Sequence, residues 1–206
     1  MRRRTSHIAL IYLPQQYYHV YNRGNNKQLV FLEPENYRFF LQQFRKRILM
    51  AQCDLIAFCL MPNHYHSVVR VGDCEDFSNV MRGFTTSYVK SFNAWHHRVG
   101  HLFQSNTQMR LVESEEDLIS LCRYVHLNPV TAGLVQSPED WEFSDYQEWI
   151  SEELTAGSQR WKVRDEWFSN GGDYKQFVDD RGAELKFRQN LEKVLFKQPG
   201  RNPSST

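Results

Sequence analysis

No stretch of this 206-residue chain is apolar for long enough to cross a bilayer, which takes about 20 residues. The first residues, "MRRRTSHIALIYLPQQ", begin with arginines, but the apolar part that follows is short and mixed, so no secretory signal is read and a cytoplasmic protein with no membrane partner is expected. Cysteine is scarce. Cys53, Cys59, Cys74 and Cys122 contain no CxxC pair, and the length does not suggest a small disulfide scaffold. Cys59 and Cys122 lie in apolar stretches and read as buried free thiols. Internal repeats are absent. Net charge is close to absent as well, at +1, but the balance is uneven along the chain. Residues 1–50 carry nine Lys or Arg against Glu33 and Glu35, while residues 139–184 carry thirteen acids against five Lys or Arg. The basic N-terminal part could face phosphates, or be no more than a solvated helix face and a tail.

What is present is an alternation of strand and helix patterns. "YYHVYNRG" (17–24) is aromatic and β-branched and runs into a polar loop, "NRGNNKQ". Residues 34–50 place Tyr37, Phe40, Leu41, Phe44 and Ile48 at helical spacing, with Pro34 suited to the start. "CDLIAFCLM" (53–61) reads as a buried strand, Pro62-Asn63 as a turn or bulge, and "HYHSVVRV" as the next strand. Residues 76–100 predict a long amphipathic helix, 101–112 strand and loop, and 113–129 a further helix. That last helix would be capped by Ser114 and end near Asn128, because Pro129 disfavours helical geometry before it. The order of the first six elements predicts a ferredoxin-like (RRM-like) α+β fold: an antiparallel sheet with helices on one face. The expected organisation is a basic arm (1–13), a main folded domain (14–150), a mostly helical extension (151–196) and a disordered tail (197–206).

Within "MPNHYHSVV" the strand alternation sends His64 and His66 to one face and Tyr65 to the other. Two imidazoles so placed could hold one metal ion, but two ligands do not complete a site. In the helix 113–129, Leu118, Leu121, Cys122 and Val125 form the core stripe, and Tyr124 and Asn128 stack as an i, i+4 pair on its flank. Taken alone, these read more simply as a rim aromatic and a helix-ending Asn.

"MPNHYHSVV" resembles the His-hydrophobic-His motif of the HUH single-tyrosine transposases, and "YVHLNPVTAGLV" (124–135) is similar to the tyrosine helix and turn of their REP-associated branch. "YYHVYNRGNNKQLVF" and "GHLFQ" resemble the same family in the right order, and "NGGDYKQFVDD" resembles a segment that follows its core. The resemblance implies that His64 and His66 bind Mg²⁺ or Mn²⁺, that Asn128 stands in the place of a third ligand, and that Tyr124 is the nucleophile. It further implies metal-dependent cleavage and strand transfer of single-stranded DNA through a 5′-phosphotyrosine, in DNA transposition or the processing of REP hairpins. Single-stranded DNA with a hairpin is the implied partner, with either a monomer or a homodimer as the working unit. Arg23, Asn25, Asn26, Lys27 and His19 are the candidate DNA contacts, and Arg2, Arg3 and Arg4 a candidate arm. The alternatives are a non-catalytic hairpin-binding relative and a metallohydrolase with a water nucleophile. Two positions depart from the family's habit: Tyr65, where aliphatic residues are usual, and Ser105-Asn106-Thr107 after "GHLFQ", where glycine, a basic residue and an aromatic are usual.

Overall fold

The computed structural model describes residues 12–74, 76–151 and 159–180. The elements run β1 (Tyr17–Arg23), α1 (Pro34–Met50), β2 (Asp54–Met61), β3 (His64–Arg70), α2 (Phe77–Trp95), β4 (Gln108–Leu111), α3 (Glu115–Thr131), α4 (Tyr146–Ile150), α5 (Gln159–Asp165) and α6 (Gly171–Asp179). The four strands form one sheet in the order β2-β3-β1-β4, every neighbouring pair antiparallel. This is the expected ferredoxin-like layout.

Alternation gives the sheet two different faces. Tyr18, Val20, Phe58, Leu60, Tyr65 and Val69 point into a core with Phe40 and Phe44 of α1 and Phe84, Tyr88 and Phe92 of α2. The opposite residues, including Ala57, Cys59, Met61 and Val68, pack against Leu118, Leu121, Cys122 and Val125 of α3. Strand β2 has a bulge between Leu55 and Ala57, which lets Ile56 and Ala57 both join this second core. Tyr146 and Trp149 of α4, Val163 of α5 and Tyr174 and Val178 of α6 close over α3 from outside. That packing buries α3 almost all round, whereas its apolar stripe alone predicted one exposed side.

Three element boundaries differ from expectation. Helix α2 stops at Trp95, not near Gly100: His97 takes a positive φ, and Arg98 N–H turns back to donate to the Asn93 carbonyl. Strand β4 begins only at Gln108; residues before it bridge to the sheet through Phe103 opposite Gly24. Helix α3 runs through Pro129 to Thr131. Proline there removes one N–H near the helix end, and the end itself is set by Gly133 at φ 71°, with Leu134 N–H donating to the Pro129 carbonyl. The Ser114 cap is formed as expected, its hydroxyl accepting from Asp117 N–H. All four cysteines are free, and Cys59 and Cys122 are buried. Residues 1–11 of the expected arm (1–13), residues 152–158 and 181–196 of the expected extension, and the tail lie outside the described residues. Among those that are described, no helix is long and apolar enough to cross a membrane.

Candidate active site

The central strands β1 and β3 build the floor of the site. Their register sets Tyr21 opposite His66 and Arg23 opposite His64. His64 and His66 share the α3-facing side of the sheet, their ring centroids 4.9 Å apart and nearly perpendicular. His19, two residues before Tyr21 on the same face, reaches across so that its Nε2 lies 2.9 Å from His66 Nδ1. Both rings are buried, His19 to 1% and His66 to 2% exposure. His19, expected among the DNA contacts, instead spends its Nε2 on His66. The pairing of β1 with β3 is what reveals that its partner is His66.

The environment holds these imidazoles neutral. Burial lowers His64 to about 4, with the Arg23 guanidinium adding to the effect and the Asn128 side chain opposing it. Burial likewise lowers His19 to about 3, helped by Arg110. His66 is pushed well down by burial and by His64, His19 and Arg23. A neutral imidazole keeps a ring lone pair, which is what a metal ligand needs. Both ligand candidates have one nitrogen engaged by protein: His64 Nδ1 meets Asn63 Oδ1 at 2.6 Å, and His66 Nδ1 meets His19. Such outer partners fix ring orientation and tautomer. Asn63 was read only as part of a turn; its place beside His64 in "PNHYH" was the available signal.

Helix α3 lays the remaining groups over this floor. Tyr124 packs edge-on against His66, centroids 5.4 Å apart, and against His19 at 6.4 Å. Its residue exposure is 6%, because the ring lies on the two histidines. One turn on, Asn128 Nδ2 donates to the Tyr124 carbonyl at 2.8 Å, and its side chain stands close enough to His64 to oppose the lowering of that imidazole. Among the described residues, no group of three or more His, Cys, Asp or Glu is arranged to hold a metal. The set brought together here is two imidazoles and one amide oxygen, and it includes no carboxylate.

The polar loop after β1 abuts the same end of the sheet. Asn25, Asn26 and Lys27 are exposed, while the loop backbone is held by Gly24 N–H donating to Asn63 O and Asn25 N–H to Leu102 O. Asn26 and Lys27 adopt positive φ. A Cβ on Gly24 would lie 2.1 Å from the Gln28 carbonyl oxygen, so only glycine lets the chain turn this tightly. Arg23 stands beside His64, and Arg110 of β4, which sequence reasoning missed, stands opposite His19 in the sheet register. Two guanidinium groups thus border the site. The two departures noted in the sequence also meet: Tyr65 Oη and Thr85 Oγ1 lie 3.1 Å and 2.9 Å from Thr107 Oγ1, on the far face of the sheet.

A family model described as Transposase IS200 like matches residues 12–128, which contain β1, the two histidines and Tyr124. The chain belongs to this transposase family. A Haemophilus influenzae protein named as a REP-associated tyrosine transposase is 22% identical over 111 residues, 49% of this chain and 63% of that relative's length. The solved structure of a REP-associated tyrosine transposase bound to a REP hairpin superposes with a TM-score of 0.57 at 17% identity. It covers 77% of this transposase and 97% of that chain, and at such identity the likeness concerns the fold.

Proposed function

We propose that this transposase cleaves single-stranded DNA beside a hairpin and rejoins it, with Tyr124 as nucleophile and His64, His66 and Asn128 as ligands of Mg²⁺ or Mn²⁺. One observation carries the reading: the Tyr124 ring packs edge-on against His66 of its own chain, with Asn128 one turn along the same helix and beside His64. Neutral imidazoles and an amide oxygen suit a divalent cation and leave coordination positions for substrate oxygens and water. When bound, such a cation would polarise the scissile phosphate and neutralise developing charge.

The chain's own residues do the rest. Helix α3 holds Tyr124 where its oxygen can meet a phosphate lying over His64 and His66. The new bond joins Tyr124 Oη to phosphorus, and the bond from phosphorus to the 3′ oxygen breaks. The tyrosine proton is lost and the 3′ oxygen takes one up, leaving a free 3′-OH and a 5′-phosphotyrosine. No external energy is consumed, so the 3′-OH of another end can reverse the step and join strands. Arg23 and Arg110 are placed to hold flanking phosphates, and the exposed loop Asn25–Lys27 to contact the strand beside them.

The test is a labelled oligonucleotide carrying a hairpin and a single-stranded flank. A protein-linked 3′-side fragment that requires Mg²⁺ or Mn²⁺ is expected. Tyr124→Phe should abolish the adduct while hairpin binding persists, with stability changed by about 1 kcal/mol, the scale of one hydrogen bond. Released 5′-phosphate with no adduct at any time would point instead to a water nucleophile. Hairpin binding without cleavage would point to a binding protein.

A further inference from the structure

Tyr124 and Asn128 lie on one side of α3. His126, two residues from each, projects from the opposite side at 100° per residue. It is wholly buried, and both ring nitrogens are bonded. Nε2 lies 3.0 Å from Asp145 Oδ1 and Nδ1 lies 2.7 Å from the hydroxyl of Tyr174 in α6. Asp145 Oδ1 also accepts the Phe58 N–H of β2 at 2.7 Å, and its Oδ2 pairs with Arg160 Nη2 of α5 at 3.2 Å. Arg160 Nε donates to the Ile56 carbonyl, two residues back on β2, at 3.0 Å. Burial raises Asp145, but Arg160, His126 and the Phe58 N–H together bring it below its ordinary range, so it is an anion. His126 Nε2–H therefore donates to Asp145, and Tyr174, kept protonated by burial, donates to Nδ1.

This chain of bonds spans the edge strand, the tyrosine helix and two helices of the extension. None of its members touches the site. The apolar contacts of α3 with the sheet are non-directional and would survive a small rotation of the helix. The polar chain would not, because a rotation leaves buried donors and a buried carboxylate without partners.

We propose that Tyr174 and Arg160, acting through His126 and Asp145, set the rotation of α3 that lays Tyr124 on His66, and so are positioning residues for the nucleophile. The inference rests on the reading of Tyr124 given above. It assigns the segment after residue 150 a part in the chemistry, although that segment contributes no group to the site.

Tyr174→Phe removes only the hydroxyl and keeps the ring against Trp149 and Phe168. Arg160→Gln removes the charge and leaves that packing alone. Each full-length variant is compared with wild type well below its melting temperature, with saturating hairpin oligonucleotide and Mn²⁺. The single-turnover rate of adduct formation should fall about tenfold to a hundredfold, as expected for a misplaced reacting group, with hairpin affinity unchanged. The magnetisation transfer between the Tyr124 and His66 rings in NMR spectra should weaken in parallel. Wild-type rates and an unchanged ring contact in both variants would overturn the proposal. So would a rate loss that merely tracks the fraction unfolded. If wild type itself forms no adduct, the nucleophile reading fails, and the ring contact still decides whether these residues position Tyr124.

Discussion

Replacing His19 by Leu would probe the least expected contact of the site. The substitution keeps an apolar side chain of similar bulk, so the cavity left behind is small, but it deletes the partner of His66 Nδ1. That bond is 2.9 Å long between rings exposed by only 1% and 2%, so water cannot take its place without opening the sheet face. A buried donor left unpaired costs about 1–3 kcal/mol, and the urea midpoint should drop accordingly. The sharper effect is on metal binding. With Nδ1–H held by His19, His66 presents Nε2 in a fixed tautomer and direction; without it, loss of an outer partner should weaken affinity about 10–100-fold. Calorimetric titration with Mn²⁺ reads this directly. His19→Gln is the control, because its amide oxygen can accept the same proton at nearly the same place and should restore most of the affinity. Equal Mn²⁺ affinity in His19→Leu and wild type would refute the reasoning, since His66 would then be a ligand that needs no orienting partner, or no ligand at all.

Gly24→Ala should destabilise the fold by about 1–3 kcal/mol, because the new Cβ meets a backbone oxygen that cannot swing aside. Hairpin affinity should fall with it, as the 25–27 loop moves; a denaturation curve matching wild type would show that the Gln28 carbonyl yields easily. Stability should also depend on pH in a defined window. In the unfolded chain His19, His64 and His66 protonate near 6.5, whereas burial holds His19 at about 3 and His64 at about 4 and pushes His66 well down. Between about 6.5 and 4 the unfolded state binds more protons, so stability falls as pH falls through that range and is unaffected by these rings above it. Urea midpoints should be level above pH 7 and decline below 6.5; a level profile down to pH 4.5 would mean that the three rings are hydrated.

Local pattern made much of this arrangement legible. Pro34 and Ser114 marked helix starts that the structure keeps, and period-two alternation put His64 and His66 on one face. The i, i+4 spacing of Tyr124 and Asn128 predicted a shared side of α3, and the amide of Asn128 indeed reaches back to the Tyr124 carbonyl. The misses share a cause, which is that the deciding partner is distant in the chain. "CDLIAFCLM" is apolar on both faces, so nothing in it announces the bulge before Ala57 that α3 and the extension require. The burial of α3 on the side away from Tyr124 was not legible because the residues that cover it come from a polar, acidic segment with no obvious apolar stripe. His126, Asp145 and Tyr174 look like ordinary polar residues until 19 and 48 positions of separation are closed by folding.

The departures from the family's habit follow the same logic. Read one at a time, Tyr65 is an oversized residue in a central strand and Thr107 a missing aromatic beside it. In the fold, the Tyr65 ring fills the α1/α2 core and its hydroxyl needs a partner there, which Thr107 and Thr85 supply. Burial drives the Tyr65 hydroxyl upward and those bonds only partly offset it, so it stays protonated. A buried polar tip of this kind is tolerated only when satisfied. The unusual residue after "GHLFQ" is thus tied to the unusual residue between the two histidines, on the face of the sheet away from Tyr124. These bonds lie behind the site, and none of them involves His64, His66 or Asn128.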